Sequence, residues 1–303
     1  MSYIVTSSFQ HDLQPLITTY FGDLKSFPEL WSKWYDVSDS TRAFEQFTIA
    51  GELGLAAKIQ EGQQVYFDGT QEGNSHIVSH IEYGTGVVIT QNAVDDAQSG
   101  EILKTKGEYL RNAMQKTLEV AAHAKLNNAT STSSPYTGGN AEALASTTHT
   151  SLAGNQSNVV TGNAPLSEAA IEQACIQVKQ TLTNRGLKAN VMPTMLVVPD
   201  ALEFEAERIL GSEQRVGTAD NDLNALKSLG KLPGGYLVDT YLTSSTAWFI
   251  KTDAPEGLKF FWRRKMAVDS MNESDKRIAK FFSTMRFSTV HNDFRCIMYS
   301  AGA

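Results

Sequence analysis

Two histidines four residues apart are the first candidates for chemistry in this sequence. His76 and His80 belong to the segment HIVSH, and residues at this spacing share one face of an extended strand. Two imidazoles on one face can begin a zinc-type site, and such a site would make the chain a metal-dependent hydrolase. No carboxylate stands at ligand spacing beside them, so neutral strand histidines are the favoured interpretation. The metal-dependent hydrolase is kept as the alternative from the enzyme class.

An acidic pair and two cysteines are the next candidates for metal binding. Asp220 and Asp222 in TADNDLNAL resemble part of a calcium loop, but the glycine at the sixth position and the closing glutamate are missing. This segment is therefore interpreted as a polar loop. Cys175 and Cys296 are far apart and form no CxxC motif, so the sequence predicts buried thiols and no disulfide or zinc site.

The sequence signatures of nucleophilic and nucleotide chemistry are missing. No GxSxG, no phosphate loop and no GxGxxG after a strand is present, and Gly84-Thr85-Gly86 lies inside a hairpin pattern. His123, His149 and His291 with a scattered acid would be the basis for an unusual hydrolase. We therefore predict no enzyme activity, and we assign no catalytic, cofactor-binding or metal-binding residue.

Composition excludes several further classes of protein. The 303 residues are 41% hydrophobic and 19% charged, as in ordinary globular proteins, and carry a net charge of −7. No apolar run approaches the ~18 residues of a membrane-spanning helix, and the N-terminus has no secretion signal. The negative charge gives no field that would pull a single chain onto nucleic acid. We expect a chain without membrane contact that is made in the cytoplasm.

Aromatic residues are concentrated in residues 1–40, where no helix or strand period is sustained. We interpret this stretch as an N-terminal arm. So many aromatic side chains exposed on a single chain would form a sticky patch, and another surface must cover it. The arm is therefore predicted to complete its burial against another subunit.

Residues 41–95 carry the pattern of an extended hairpin. FEQFTIAGEL (44–53) and VYFDGTQEGNSHIVSHIEY (65–83) are strand-like, with a Gly-rich tip inside the second segment. An isolated hairpin is only marginally stable in water, so this one also needs a neighbour. The residues predicted to make inter-subunit contacts are Phe9, Tyr20, Phe21, Trp31, Trp34, Tyr66 and Phe67.

The clearest helix of the chain is predicted from about residue 101 to 127, and it positions everything around it. Its apolar residues recur at i, i+4 and form one stripe. The stripe consists of Leu110, Met114, Leu118, Ala122 and Leu126, widened by Ala113 and Ala121. Such a one-faced helix is a packed strut, because each large side chain that it buries contributes about 1.5–3 kcal/mol before entropy is counted.

A polar stretch rich in Ser, Thr, Gly and Asn follows at 130–167 and is predicted to be a weakly ordered insertion. A second helix is predicted from the N-cap Ser167 to Gly186, with Ile171, Cys175, Val178 and Leu182 on its buried face. The strand TMLVVP (194–199) and a helix ending at Gly211 complete a compact α/β unit.

The last hundred residues are mostly strand-like. Aromatic runs stand on the two sides of the turn Ala254-Pro255-Glu256-Gly257, where Trp248, Phe249, Phe260, Phe261 and Trp262 are predicted to be core residues. The final run, 276–300, is long, and its Phe and Met residues suit a sheet pressed against the long helix. The C-terminus is therefore expected to return to the region where that helix begins.

Four segments of the C-terminal part carry a family resemblance. They are TMLVVPDALEFEAERIL (194–210), NDLNALKSLGKL (221–232), YLVDTYLTSSTAWFIKTDAPEGLKFFWRR (236–264) and RFSTVHNDFRCIMYSAGA (286–303). In order and spacing they resemble the major head subunit of tailed bacteriophages, specifically the Mu-like gpT family. The N-terminal two thirds match only in layout, and Asn224-Ala225-Leu226 departs from the family's "NPLKGL"-type segment.

The resemblance implies an α+β chain with the Hong Kong 97-type capsid fold. Its parts would be an N-terminal arm (1–40), an extended β-hairpin loop (41–95), a peripheral domain with a long spine helix (96–135 and 259–303), a polar insertion (136–164) and an axial α/β domain (165–258). The implied function is a virion capsid protein that forms hexamers and pentamers around packaged double-stranded DNA, assembled in the bacterial cytoplasm. Portal, scaffolding and decoration proteins would be its partners, and an encapsulin-like compartment shell is the alternative within this fold.

Overall fold

The computed structural model describes residues 19, 21, 29–50, 53–69, 72–90, 92–93, 101–138, 142–151, 154–213, 223–255, 257–273 and 278–303. Helices within this part of the chain are α1 (Trp31–Trp34), α2 (Glu101–Asn127), α3 (Glu168–Gln180), α4 (Glu203–Gly211) and α5 (Ala225–Ser228). Strands that precede α3 are β1 (Asp36–Asp39), β2 (Phe44–Ala50), β3 (Glu72–Ser79), β4 (Ile81–Thr90), β5 (His149–Ser151) and β6 (Gly154–Gln156). Strands that follow α3 are β7 (Pro193–Val198), β8 (Tyr236–Val238), β9 (Trp248–Thr252), β10 (Leu258–Glu273), β11 (Ile278–His291) and β12 (Ile297–Ser300).

Two four-stranded sheets form the framework. The first sheet has the order β1-β10-β11-β4, in which β1 is parallel to β10 and the other neighbours are antiparallel. The second sheet has the order β12-β9-β7-β8, with β7 and β8 parallel. Two separate hairpins, β2-β3 and β5-β6, are attached to this framework. The described helices and sheets make an α+β fold, as the sequence predicted.

Helix α2 spans the predicted range and packs against β4 and β11 of the first sheet. The five residues of its predicted stripe are all buried, from Ala122 at 0% to Leu118 at 6% exposure. All of them except Leu110 meet Phe260, Met285 and Phe287 of the sheet in one apolar cluster. The predicted widening of the stripe is wrong for Ala113, which is exposed, whereas the half-buried Ala121 packs against this cluster as predicted. Alanine is too small to draw a helix face toward the core, so the large side chains alone decide the rotation of α2.

Helix α3 covers the second sheet. The Ser167 side chain caps it by accepting a hydrogen bond from the backbone N–H of Ala170, as the sequence predicted. Its apolar face packs in a second cluster with Leu196, Trp248 and Ile250. The helix ends at Gln180, earlier than predicted, and Gly186 lies in the following turn with φ +79°. The chain thus reverses through residues 181–188 before it enters β7.

The aromatic runs around the turn at 254–257 belong to different sheets. Strand β9 carries Trp248 and Phe249 in the second sheet, and β10 carries Phe260 in the first sheet, with all three side chains buried. The final run is not one strand as expected: β11 ends at His291 and β12 pairs with β9 in the second sheet. Residues 297–300 of the range 259–303 thus belong to the second sheet, and the boundaries of the peripheral domain stay a prediction.

The polar segment 136–164 is better packed than predicted. In its described part, Leu144 and Val160 are buried, and so is the side chain of Asn158. The Asn158 amide donates to the carbonyl oxygens of Leu144 and Phe294 at 2.7 and 2.9 Å. A buried asparagine that donates hydrogen bonds to backbone carbonyl oxygens cannot be told from a loop asparagine by residue type alone. The polar composition of this segment therefore wrongly predicted weak order.

The extended hairpin reverses at a different place from the one that the sequence predicted. Strands β2 and β3 pair antiparallel, from Phe44 with Ser79 to Ala50 with Glu72. The reversal lies between them and not at the Gly-rich segment that was predicted as the tip. Strand β4 leaves the hairpin and pairs with β11 of the first sheet. No helix of the described residues is both long and apolar enough to cross a membrane.

Candidate subunit interface

Residues 53–69 lie between β2 and β3, and we call them the extended loop. All of these residues are exposed except the half-buried Asp68, and none belongs to a strand. The backbone N–H of Gln63 donates to the carbonyl oxygen of Gln60 at 3.0 Å and closes a turn. Gly62 adopts φ +85° in this turn, a backbone region that favours glycine. The loop therefore has a defined reversal at its tip.

Six large apolar side chains of the extended loop face solvent in the single chain. They are Leu53, Leu55, Ile59, Val65, Tyr66 and Phe67, with exposures from 48% at Ile59 to 81% at Phe67. Apolar surface concentrated in this way marks an interaction site on soluble proteins. The predicted contact residues Tyr66 and Phe67 are thus available to a partner, and their contact itself stays a prediction. The sequence analysis missed the four aliphatic residues. The signal that could have found them is the scarcity of large side chains nearby in the sequence that could cover them.

The root of the extended loop is fixed to the body of the same chain. Asp68 Oδ2 accepts a hydrogen bond from the backbone N–H of Gly54 at 2.9 Å, which ties the two branches of the loop together. Arg185 reaches Asp68 Oδ1 at 3.3 Å and donates to the Gly69 carbonyl oxygen at 2.8 Å. The Gly54 hydrogen bond, and then the Arg185 charge, lower the pKa of Asp68 below its ordinary value. The loop is therefore presented at a fixed root beside the turn that follows α3.

Two of the predicted inter-subunit residues are buried inside their own chain. Trp31 and Trp34 are 4% and 1% exposed, so neither side chain offers surface to a neighbour. The Trp31 ring lies 4.3 Å from that of Phe260, and Trp34 meets Phe249 edge-on at 5.4 Å. Their prediction as subunit contacts is wrong. The arm returns to the chain's own two sheets, a long-range contact that the local sequence pattern does not encode.

The other predicted residues of the arm lie at or beyond the edge of the described chain. Phe9 and Tyr20 are outside the described residues. Phe21 is half-buried, and the Arg111 guanidinium of α2 lies 6.0 Å from the centre of its ring. Phe21 thus contacts its own chain, and its contact with a second subunit stays a prediction.

A buried polar network joins the arm, α2 and the second sheet. The Glu119 carboxylate accepts hydrogen bonds from the backbone N–H groups of Leu30 and Trp31 at 3.0 and 3.1 Å. His123 donates through Nδ1 to the Glu119 carbonyl oxygen at 2.7 Å and through Nε2 to Asp239 Oδ2 at 2.8 Å. Asp239 Oδ2 also accepts from Trp34 Nε1 at 2.7 Å. Helix α1 of the arm is therefore fixed by side chains from α2 and from the residue that follows β8.

The geometry of this network determines the charge of His123. Both ring nitrogens face acceptors only, so both must carry a proton. Burial by itself would lower the pKa of His123, but the hydrogen bond and charge of Asp239 raise it above its ordinary value. Burial raises the pKa of Glu119, while His123 and Trp34 hold the pKa of Asp239 below its ordinary value despite burial. Besides these carboxylates, His123 faces the ring of Tyr241, stacked at 5.3 Å.

The histidine pair HIVSH does share one face of β3 and its extension, as predicted. His80 is buried, with Nδ1 at 3.0 Å from Ser288 Oγ and Nε2 at 3.4 Å from Ser40 Oγ. Both ring nitrogens of His80 therefore have hydroxyl partners, and His76 is half-buried. Across the described residues no group of three or more His, Cys, Asp or Glu is placed to hold a metal ion. His80 therefore connects the hairpin root to β11.

The two cysteines and His149, which the sequence offered as candidates for chemistry, are buried in the structure. Cys175 and Cys296 are buried free thiols, as predicted, and burial raises the pKa of both. His149 is buried with Nδ1 3.0 Å from Glu142 and Nε2 2.9 Å from Asn158. Asp220 and Asp222 lie outside the described residues.

A second exposed apolar group lies around α4 and α5, and the sequence reasoning did not identify it. Phe204 is 74% exposed, and Leu223 and Leu229 are 68% and 63% exposed. On α4 the buried residues are Ala206 and Ile209, so Phe204 stands off the apolar face. That helical offset is the sequence signal that could have revealed it.

Solved structures with the same fold give the class of protein. A chain of Mycobacterium phage Patience aligns over 98% of this chain and 88% of its own, with 10% identity and a TM-score of 0.56. The capsid of a native GTA particle aligns over 90% and 91%, with 13% identity and a TM-score of 0.55. The SrpI encapsulin of Synechococcus elongatus PCC 7942 aligns over 91% and 88%, with 10% identity and a TM-score of 0.51. The chain has the Hong Kong 97-type fold of shell-forming proteins.

A family model then makes the assignment specific. The model described as phage capsid protein matches residues 76–299, and the chain belongs to that family. No curated protein matches the chain. It is a capsid protein, and its place is in the virion shell. Membership of the narrower Mu-like gpT family stays a prediction.

Proposed function

We propose that this chain is the major subunit of a tailed-phage head, forming hexamers and pentamers of a closed icosahedral shell around packaged double-stranded DNA. Its role is structural, without enzyme activity. The observation that supports this function best is the extended loop, whose six large apolar side chains have no cover in the single chain. A second copy supplies that cover, with assembly taking place in the cytoplasm of the bacterial host.

The extended loop lies across a neighbouring copy in the proposed shell. Each fully covered Leu, Ile or Phe side chain contributes about 1.5–3 kcal/mol, before the entropy of association is subtracted. Because every subunit both gives and receives a loop, each chain buries more than the ~1,600 Å² of a standard interface. The root at Asp68 and Arg185 reduces the entropy lost when the loop docks, because the loop already leaves the body at a fixed point.

The exposed group around Phe204, Leu223 and Leu229 is proposed as a second contact, between copies around the capsomer axis. The net charge of −7 suits a container that encloses DNA without gripping it at particular sites. Portal, scaffolding and decoration proteins are proposed as further partners in the assembled virion.

The loop contact is tested by electron microscopy and sedimentation of the overexpressed chain. We expect shells or capsomers from the parent and a large loss of assembled material from Phe67→Ser, with the subunit still folded by circular dichroism. Gln64→Ser is the matched control, because it alters an exposed residue of the same loop without removing apolar surface. Equal assembly of the parent and Phe67→Ser would contradict the proposed contact.

The likeness to the SrpI encapsulin supports one rival function, a bacterial compartment shell. The content of particles purified from the natural source distinguishes the two. Packaged double-stranded DNA supports the head subunit, whereas a cargo enzyme without DNA supports the compartment shell.

A further inference from the structure

The two ends of the β2-β3 hairpin meet at one buried histidine, and we call this place the hairpin root. Ser40 stands between β1 and β2, where the chain enters the hairpin, and His80 stands between β3 and β4, where the chain leaves it. Both residues are buried. The backbone N–H of Ser40 donates to the Trp262 carbonyl oxygen at 2.8 Å, and Ser288 of β11 lies 3.0 Å from His80 Nδ1. His80 is therefore the side chain that joins both ends of the hairpin to the first sheet.

The hydrogen bonds at the hairpin root determine which nitrogen of His80 carries the proton. The Ser40 hydroxyl donates to the Glu45 carboxylate, so its oxygen is left as an acceptor, and it accepts from the backbone N–H of Arg42 at 3.1 Å. His80 Nε2, at 3.4 Å from the same oxygen, must therefore be the protonated nitrogen. Nδ1 of the neutral ring is then an acceptor, and the Ser288 hydroxyl donates to it. In this arrangement every donor of the root faces an acceptor.

A second proton on the His80 ring disturbs this arrangement. Once Nδ1 is protonated, the buried Ser288 hydroxyl must turn its own proton away, and no other partner for that hydroxyl is found within the part of the chain that the structure describes. A buried donor without an acceptor is costly. Burial lowers the pKa of His80 below its ordinary value, and the charges of Arg286 on β11 and Arg263 on β10 lower it further. The Glu45 carboxylate of β2 acts in the opposite direction without reversing the shift.

We propose that His80 is a pH-sensitive latch of the hairpin root, closed while its ring is neutral and released when the ring takes up a proton. In the released hairpin the ring reaches water and binds the proton with its ordinary affinity, so acid favours the released form. The extended loop is the far end of this hairpin, and acidification therefore weakens its support. The latch is a property of the folded chain, whereas its effect on contacts between subunits rests on the proposed function.

Amide hydrogen exchange of the full-length, unassembled chain tests the latch, with exchange times corrected for the intrinsic effect of pH. The released ring titrates at its ordinary value of 6.5, so the protection of β2 and β3 should fall by up to about tenfold from about pH 7.5 to about pH 5.5. His80→Gln should lose most of this fall, because glutamine can still donate to Ser40 but takes up no proton. His76→Gln, which removes the other histidine of the hairpin, is the matched control and should keep the fall. Protection of α3, which packs in the second apolar cluster, should not fall.

Three outcomes would overturn the proposal: constant protection of the hairpin in the parent, an equal fall in His80→Gln, or a fall that only His76→Gln removes. If His80→Gln does not fold, NMR titration of His80 in the parent decides the question. A pKa below 6.5, with the proton of the neutral ring on Nε2, supports the latch, and a pKa of 6.5 or above refutes it. None of these measurements involves assembly, so a failure of the latch is distinguished from a failure of the proposed shell function.

Discussion

The buried pair of His123 and Asp239 gives the most direct test of how the arm is held. Asp239→Asn keeps the size of the side chain but removes the negative charge that His123 faces at 2.8 Å. Removing one partner of a buried ion pair costs about 3–5 kcal/mol, because the other charge stays buried without compensation. We expect a loss within this range, because the introduced asparagine has a single carbonyl oxygen. That oxygen can accept from Trp34 Nε1 at the Oδ2 position or from the backbone N–H of Tyr241 at the Oδ1 position, and the amide NH2 then faces the other donor.

Urea unfolding of the unassembled subunit measures this loss. Asp269→Asn is the matched control, since Asp269 is exposed on β10 and its charge should contribute little. In a double-mutant cycle with His123→Gln, the combined loss should be clearly smaller than the sum of the single losses. A change below about 0.5 kcal/mol for Asp239→Asn, or full additivity in the cycle, would show that the network does not hold the arm.

Two further predictions concern titration and thiol chemistry. Folding raises the pKa of His123 above its ordinary value of 6.5, so the stability that His123 contributes is complete below pH 6.5 and is lost as pH rises through the folded-state pKa. The free energy of unfolding should therefore fall as pH rises above 6.5. The variant His123→Gln should lack this fall. A parent curve that stays flat from pH 6.5 to 9 would contradict the charge assigned to His123. A thiol reagent should modify neither Cys175 nor Cys296 in the folded chain, because both are buried with raised pKa values, and should modify both in urea. Rapid labelling of the folded chain would disagree with this.

Local patterns predicted the regular elements of the framework. The i, i+4 spacing from Leu110 to Leu126 predicted that α2 is a helix and which face it buries, because large apolar side chains at helical spacing can be buried in only one way. Ser167 predicted the start of α3 for the same kind of local reason, since a serine side chain satisfies an N–H group that the helix leaves free.

The subunit surface was predictable only in part. Tyr66 and Phe67 are exposed as the pattern required, whereas Trp31 and Trp34 have the same aromatic character and are buried. The difference lies in distant partners, because Phe260, Phe249 and Asp239 cover the tryptophans, whereas the side chains of the extended loop stay exposed. The sequence around an aromatic residue in an irregular segment does not show whether distant residues will bury it or leave it exposed.

The sequence by itself determined α2, the buried face of α3 and the buried strands, and it predicted the need for a partner, because these follow from the spacing and number of apolar side chains along the chain. Only the tertiary structure decided which apolar residues the chain covers for itself and which it leaves exposed. It alone also placed Glu119, His123 and Asp239 together. Glu119 and His123 stand four residues apart on α2, but Asp239 lies 116 residues beyond His123, and its pairing depends on how α2 and the second sheet pack, which no local pattern specifies.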